Sequence, residues 1–164
     1  MTIMHPGRFS LLIGFFILFG SCGKSDSASR GEPSTLVARA WDEYRLGEFK
    51  LAEKLFSEAA RAAPKASEAQ LKALYGLGAT LSLRNPNPDE EGGAARYREV
   101  LALAPRSDLA AWSLLALARL EHAVPVGREP DYEKVRLAYQ NVRDSYPEHP
   151  AAEEAFIYQQ ATWV

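Results

Sequence analysis

Apolar residues recur along this chain at intervals of three and four, the spacing that puts them on one face of an α-helix. The first such face carries Val37, Ala40, Trp41 and Tyr44, and Gly47 interrupts it. A second face follows at once and consists of Phe49, Ala52, Leu55, Phe56 and Ala59. The two stretches predict a pair of antiparallel helices joined by a glycine turn.

Two further hairpins are predicted downstream by the same spacing. The second has Leu74, Leu77, Gly78 and Leu81 on its first helix, and Ala94, Tyr97, Val100 and Leu101 on its second. The third has Trp112, Leu115, Ala116 and Leu120 on its first helix, and Tyr132, Val135, Tyr139 and Val142 on its second. Long connectors, residues 84–90 and 122–131, join the helices of these two hairpins.

Helix starts and stops agree with this division. Ser67 and Gln70 have the spacing of a capping box, while Asp89 and Ser107 are predicted N-caps. The helical hairpins end at Pro64, Pro105 and Pro147, which lie 41 and 42 residues apart. Such a period predicts a repeat architecture rather than an ordinary helical bundle.

The last stretch predicts one more helix, beginning at Pro150. Ala152, Ala155, Phe156 and Trp163 share its predicted packing face. Two alternatives remain open for this stretch. It is either a half-repeat docked on the third hairpin or the start of a repeat in a truncated chain.

These residues resemble tetratricopeptide repeats over about residues 34–147. Leu74-x-x-Leu77-Gly78-x-x-Leu81 is similar to the first-helix signature of that family, and the run from Gly47 through Phe56 to Pro64 is similar to its second-helix signature. Ala40-Trp41 and Gly93 depart from the family pattern. The resemblance implies an all-α fold: a right-handed solenoid of helical hairpins with about three repeats and a C-terminal helix.

In that family the first helices line the concave face, and the lining residues lie beside the packing residues. Carried over by register, the resemblance implies that the concave face presents Ala38, Asp42, Arg45, Lys72, Tyr75, Ala79, Ser82, Ala110, Ser113, Leu117 and Leu120. This mixture of polar and apolar side chains favours a protein or peptide ligand in the concave groove.

The N-terminus is predicted to be a targeting segment. Phe9 to Gly20 is an apolar run of 12 residues, shorter than the roughly 20 that span a bilayer, so it fits a signal peptide. Phe19-Gly20-Ser21-Cys22 resembles a bacterial lipobox, although Leu is usual where Phe19 stands. The resemblance implies lipidation of Cys22 and a membrane anchor; the alternative is a secreted protein.

The predicted boundaries are therefore a signal peptide at 1–21, a flexible linker at 22–33 that is rich in Ser and Gly, and a repeat domain at 34–164. Gly23 follows the cysteine where Asp marks inner-membrane retention in lipoproteins, so the resemblance implies an outer-membrane anchor facing the periplasm. Tyr146-Pro147-Glu148-His149-Pro150 is similar to a phrase in BamD-like barrel-assembly lipoproteins.

The composition argues against nucleic-acid binding, an intramolecular disulfide and a zinc site. The chain has 19 basic and 21 acidic residues, a net charge of −2, so no basic surplus favours nucleic acid. The single cysteine leaves no intramolecular disulfide. His122 and His149 lack the i, i+4 spacing of a helical zinc site and are expected at the surface.

Motifs for catalysis and for phosphate binding are absent from the sequence. The acidic run at residues 89–91 is expected to be a solvated helix start rather than a cation site. We therefore expect no metal, no cofactor and no enzyme activity. Three hypotheses follow. The first is a lipid-anchored scaffold, with a BamD-like role as its more specific version. The second is an accessory or N-terminal module of a larger envelope system (polysaccharide export or cell-wall enzyme regulation), and the third is an enzyme with an unrecognised site.

Overall fold

The computed structural model describes residues 31–84 and 86–163 of the chain, so the predicted signal peptide, Cys22 and most of the predicted linker lie outside the described residues. Regular structure in the described ranges is entirely helical. Seven α-helices are found there, followed by a 3₁₀ turn at Ala161–Trp163. The helices are α1 (Pro33–Arg45), α2 (Phe49–Ala62), α3 (Glu68–Leu83), α4 (Glu90–Leu103), α5 (Asp108–His122), α6 (Tyr132–Ser145) and α7 (Pro150–Gln160).

Each helix packs against the next one along the chain. The odd-numbered helices also contact one another, α1 with α3, α3 with α5 and α5 with α7, whereas α2, α4 and α6 do not. In a closed bundle α1 and α7 would contact each other, but here they do not. The predicted all-α row of helical hairpins is thus confirmed, while the right hand of the superhelix stays a prediction.

The predicted turns and caps hold with one correction. Gly47 has a φ of +81°, a left-handed conformation that glycine adopts without steric cost. The side chains of Ser67, Asp89 and Ser107 accept hydrogen bonds from the third residue of their helices, as expected for N-caps. The capping box is wrong in its second half, because the Gln70 Oε1 accepts from Ala66 N at 2.7 Å instead of from Ser67 N.

Close approach between neighbouring helices depends on glycines of α3. A β-carbon at Gly76 would meet the Phe56 ring of α2 at 2.4 Å, and one at Gly78 would meet the Tyr97 ring of α4 at 2.8 Å. Both rings are buried. Helix α3 therefore lies between two aromatic side chains that fill the space its glycines leave, which fixes the spacing of the first two hairpins.

Helix α7 docks on α5 and α6, in the place of the first helix of a fourth hairpin. Pro150 is its first residue, and Ala151 and Ala155 belong to the buried cluster of the third hairpin. The expectation that Phe156 and Trp163 share the packing face is wrong, since they are 46% and 68% exposed. None of the helices in the described ranges is both long and apolar enough to cross a bilayer.

Candidate functional site

The odd-numbered helices line the inner side of the row, because they contact one another while the even-numbered helices are spread apart. Two hollows lie on this inner side, with volumes of about 710 Å³ and 330 Å³. Trp41 and Tyr75 line both of them, so the two hollows adjoin each other at these side chains, and we call the pair of hollows the inner groove. Its wall also includes Val37, Ala38, Tyr44, Lys72, Ala79, Tyr97, Leu109, Ala116, Arg119 and Leu120.

Aromatic rings at the inner groove are held in place by other rings. Trp41 packs edge-on against Phe56 with ring centroids 5.0 Å apart and against Tyr44 at 5.3 Å. Tyr75 lies 5.6 Å from Tyr97 in a tilted arrangement. Such contacts fix the rings before any ligand arrives, so a ligand that packs on them loses less side-chain entropy from the protein.

Arg119 is the cation at the C-terminal end of the inner groove. Its guanidinium carbon lies 5.3 Å from the centroid of the Tyr158 ring, within the range of a cation–π interaction. Its Nη1 lies 3.8 Å from the Glu154 carboxylate, at the limit of an ion pair. Two side chains of α7 thus hold Arg119 in place, and its donors remain only partly engaged.

Phenol groups at the inner groove stay protonated well above neutral pH. Burial raises the pKa of Tyr75 and also that of Tyr44, and the positive charge of Arg119 opposes the rise at both. Burial likewise raises the pKa of Tyr97 far above its ordinary value. These hydroxyls therefore act as neutral hydrogen-bond donors and acceptors over the physiological range.

The sequence-based lining residues of the second hairpin agree best with the structure. Lys72, Tyr75 and Ala79 all line the inner groove. Ser82 also borders it but is only 8% exposed, and its hydroxyl donates to the Gly78 carbonyl at 2.8 Å. Ser82 is therefore engaged within its own helix, which argues against the partner-binding role that the sequence indicated for it.

In the first hairpin, Ala38 lines the inner groove as expected. Asp42 and Arg45 are exposed, form an ion pair with each other, and line neither hollow. The residues that α1 contributes instead are Trp41 and Tyr44, which the sequence indicated only as packing residues. Trp41 and Tyr44 have two roles, since each ring packs on α2 and also borders the groove. Their large apolar rings indicated only the packing role.

For α5 the predicted set of lining residues is wrong except at Leu120, which lines the inner groove as expected. Ser113 and Ala110 are fully buried, and Leu117 lies in a different hollow beside Ala94 and Arg98 of α4. The prediction placed Trp112 at the first packing position; Trp112 does pack against the buried cluster but is only partly buried, whereas Ala111 is fully buried in it. A shift of one residue rotates a helix by about 100°. Helix α5 actually lines the groove with Leu109, Ala116, Arg119 and Leu120.

The two downstream histidines are half-buried rather than at the surface. His149 is the N-cap of α7, and its Nδ1 accepts from Ala151 N at 3.1 Å. The Nδ1 of His122 lies 3.1 Å from the Tyr139 hydroxyl. Within residues 31–84 and 86–163, no three His, Cys, Asp or Glu side chains come together as a metal site would require.

The fold and the inner groove define a class, an all-α row of helical hairpins with an aromatic-lined inner surface. No family model, curated protein or solved structure matches this chain.

Proposed function

We propose that the chain is an interaction module that holds an extended segment of a partner protein in the inner groove. The observation that carries this proposal is that the two hollows adjoin each other at Trp41 and Tyr75. From Lys72 to Leu83 the groove follows α3 for about 17 Å at 1.5 Å per residue. An extended segment of about five residues covers that distance.

The side chains that line the groove favour a ligand with both apolar side chains and polar groups. Apolar side chains of the ligand can pack on Trp41, Tyr75 and Leu109, while Arg119 and the phenol groups can bind its carbonyl or carboxylate oxygens. This combination of rigid rings and a few polar groups is typical of peptide recognition. We assign no catalytic step, metal or cofactor to this site.

We further propose that the module is anchored to the bacterial envelope through lipid on Cys22. Support for the anchor comes from the sequence of residues 9–22 alone. Retention of the chain in the membrane fraction, lost in Cys22→Ala, is the expected result. A BamD-like role in barrel assembly and an accessory role in a larger envelope system are narrower versions, which the identity of the groove partner separates.

The groove proposal is tested by photo-crosslinking in cells that carry the full-length chain. A crosslinker at Ala79 in the groove should capture one partner segment, and the same crosslinker at Arg98, outside the groove, should not. Adding Tyr75→Ala should reduce capture from Ala79 severalfold, because the ligand loses a fixed aromatic surface. Capture that is equal from both positions, or unchanged by Tyr75→Ala, would contradict the proposal.

A further inference from the structure

The inner groove offers a ligand more hydrogen-bond donors than acceptors. Trp41 carries an indole N–H, and Lys72 and Arg119 carry cationic donors. The hydroxyls of Tyr44 and Tyr75 add to this set, since neither is hydrogen-bonded to another described residue. Oxygen atoms of a ligand therefore find partners in the groove more readily than its N–H groups do.

The acceptor groups that line the groove are already engaged within the chain. Glu68 forms an ion pair with Lys72. The hydroxyls of Ser34, Ser67 and Ser82 each take part in a hydrogen bond. The groove walls are helices, whose backbone carbonyls accept from amides of the same helix. A ligand N–H in the groove would therefore lose its bond to water without a full replacement, which costs free energy.

Proline is the residue that avoids this cost. Its backbone nitrogen carries no hydrogen, while its carbonyl still accepts hydrogen bonds. Successive prolines adopt the polyproline II conformation, which has no internal hydrogen bonds and so leaves every carbonyl free for the donors of the groove. Since this conformation rises about 3.1 Å per residue, about five or six residues span the roughly 17 Å that the groove follows along α3.

The aromatic rings of the groove also suit the pyrrolidine ring of proline. Trp41 and Tyr75 lie with their ring centroids 6.5 Å apart and are inclined by 44°, so their faces are not stacked on each other. Tyr44 adds a third ring, 5.3 Å from that of Trp41. Grooves lined by aromatic rings are the usual docking surface for proline-rich segments.

The charge of the groove adds a second requirement for the ligand. In the described part of the chain, Arg119 is the one charged side chain that lines the smaller hollow. The carboxylate of Glu154 lies 3.8 Å from its Nη1, at the limit of an ion pair. An acidic side chain of a ligand can therefore bind Arg119 at shorter range.

We propose that the partner segment in the inner groove is a proline-rich stretch in the polyproline II conformation, with one acidic residue at the end that meets Arg119. This inference rests on the proposed function, because it names the kind of segment that the groove binds. Ordinary extended segments are disfavoured, since their backbone N–H groups would remain unpaired in the groove.

The test measures binding of three fluorescein-labelled, C-terminally amidated peptides to the purified full-length chain by fluorescence anisotropy. The first is Ala-Pro-Pro-Leu-Pro-Pro-Glu, and the second has alanine in place of every proline. The third has N-methylalanine at those positions, which lacks the N–H and also lacks the pyrrolidine ring. We expect the alanine peptide to bind about tenfold more weakly than the proline peptide, because its N–H groups are buried without acceptors. The N-methylalanine peptide should recover part of that loss.

Two variants of the chain test the assigned donors. Tyr75→Phe removes the hydroxyl but keeps the ring, and it should weaken binding of the proline peptide severalfold. The matched control, Tyr132→Phe, changes an exposed tyrosine that lines neither hollow and should leave binding unchanged. Arg119→Gln should weaken binding of the peptide that ends in Glu but not of one that ends in Gln. Circular dichroism checks that each variant is folded.

Equal binding of the proline and alanine peptides would overturn the proposal, and so would an absence of binding by the proline peptide. Binding that neither Tyr75→Phe nor Arg119→Gln changes would overturn it too, because the peptide would then bind outside the inner groove.

The crosslinker at Ala79 separates this inference from the proposed function. Capture of a partner segment that contains no proline would overturn the inference alone, whereas an absence of capture would contradict the proposed function itself. Capture of a second copy of the chain, or of residues 1–30 of the same chain, would show that the chain fills its own groove and would overturn both.

Discussion

The ring of Phe56 lies so close to Gly76 that a β-carbon on the glycine would stand 2.4 Å from two ring atoms. Phe56 is fully buried, so its ring cannot move aside into solvent. This contact joins the first hairpin to the second.

Gly76→Ala should therefore destabilise the chain by about 1–3 kcal/mol, the usual range for overpacking, even though alanine favours the helix. Urea unfolding followed by circular dichroism measures the change. The double variant Phe56→Leu/Gly76→Ala provides the control, since a smaller side chain makes room for the methyl group. Its loss should be smaller than the sum of the two single losses; additive losses would show that the contact is not the cause.

Ser113→Ala should stabilise the chain by about 1 kcal/mol. The Ser113 hydroxyl is buried and has no hydrogen-bond partner among the described residues. Alanine lacks this hydroxyl, so the substitution removes the free-energy cost of burying it without a hydrogen bond. Ser82→Ala is the matched variant, because the Ser82 hydroxyl donates to the Gly78 carbonyl at 2.8 Å. The midpoint of thermal unfolding should be higher in Ser113→Ala than in Ser82→Ala. The reverse order would contradict the conclusion that the Ser113 hydroxyl is unpaired.

Stability should fall at alkaline pH in a way that depends on Tyr139. Burial raises the pKa of Tyr139 from 10.0 to about 12. Above pH 10 the unfolded chain releases this proton before the folded chain does, so the folded state loses stability as the pH rises from 10 towards 12. Urea unfolding at pH 9 and pH 11 measures the loss.

Tyr139→Phe should reduce the fall between pH 9 and pH 11, because its ring cannot ionise. At pH 9 the free energy of unfolding of this variant should be about 1 kcal/mol lower, because the contact of the hydroxyl with His122 Nδ1 is lost. An unchanged slope in Tyr139→Phe would mean that the other buried tyrosines account for the alkaline loss.

Gln159→Ala should loosen α7. The Gln159 side-chain amide accepts from Arg143 Nη1 at 2.9 Å and donates to the Arg136 carbonyl at 3.0 Å. Its removal leaves these groups without their buried partner, at a cost of about 1–3 kcal/mol. Hydrogen exchange of the α7 amides should accelerate, whereas the exposed neighbour Gln160→Ala should change nothing. Equal effects of both substitutions would argue that only helix propensity is involved.

Local patterns in the sequence predicted the hairpins and most of the caps. Ser67, Asp89 and Ser107 cap their helices as expected, because each bond joins residues only three apart. The N-cap His149 was missed, since histidine is not among the residues that usually fill that position.

The inner groove was predicted for α3 and missed for most of α5. The proline period of 41 and 42 residues follows the even-numbered helices, as Phe56, Tyr97 and Tyr139 show. Their counterparts on the odd-numbered helices, Trp41, Gly78 and Leu115, are 37 residues apart. Loops of unequal length separate the two periods, so the period of one set of helices could not give the register of the other.

The sequence by itself determined where helices begin and end, because spacing, caps and turns act within a few residues of the chain. Only the tertiary structure decided which side of α5 faces the inner groove and which side of α7 is buried among the described residues. Both helices are apolar on several sides, with Leu115 and Leu117 of α5 facing different neighbours. Which side becomes buried then depends on the helices that pack there, and that choice is made between residues distant in the sequence.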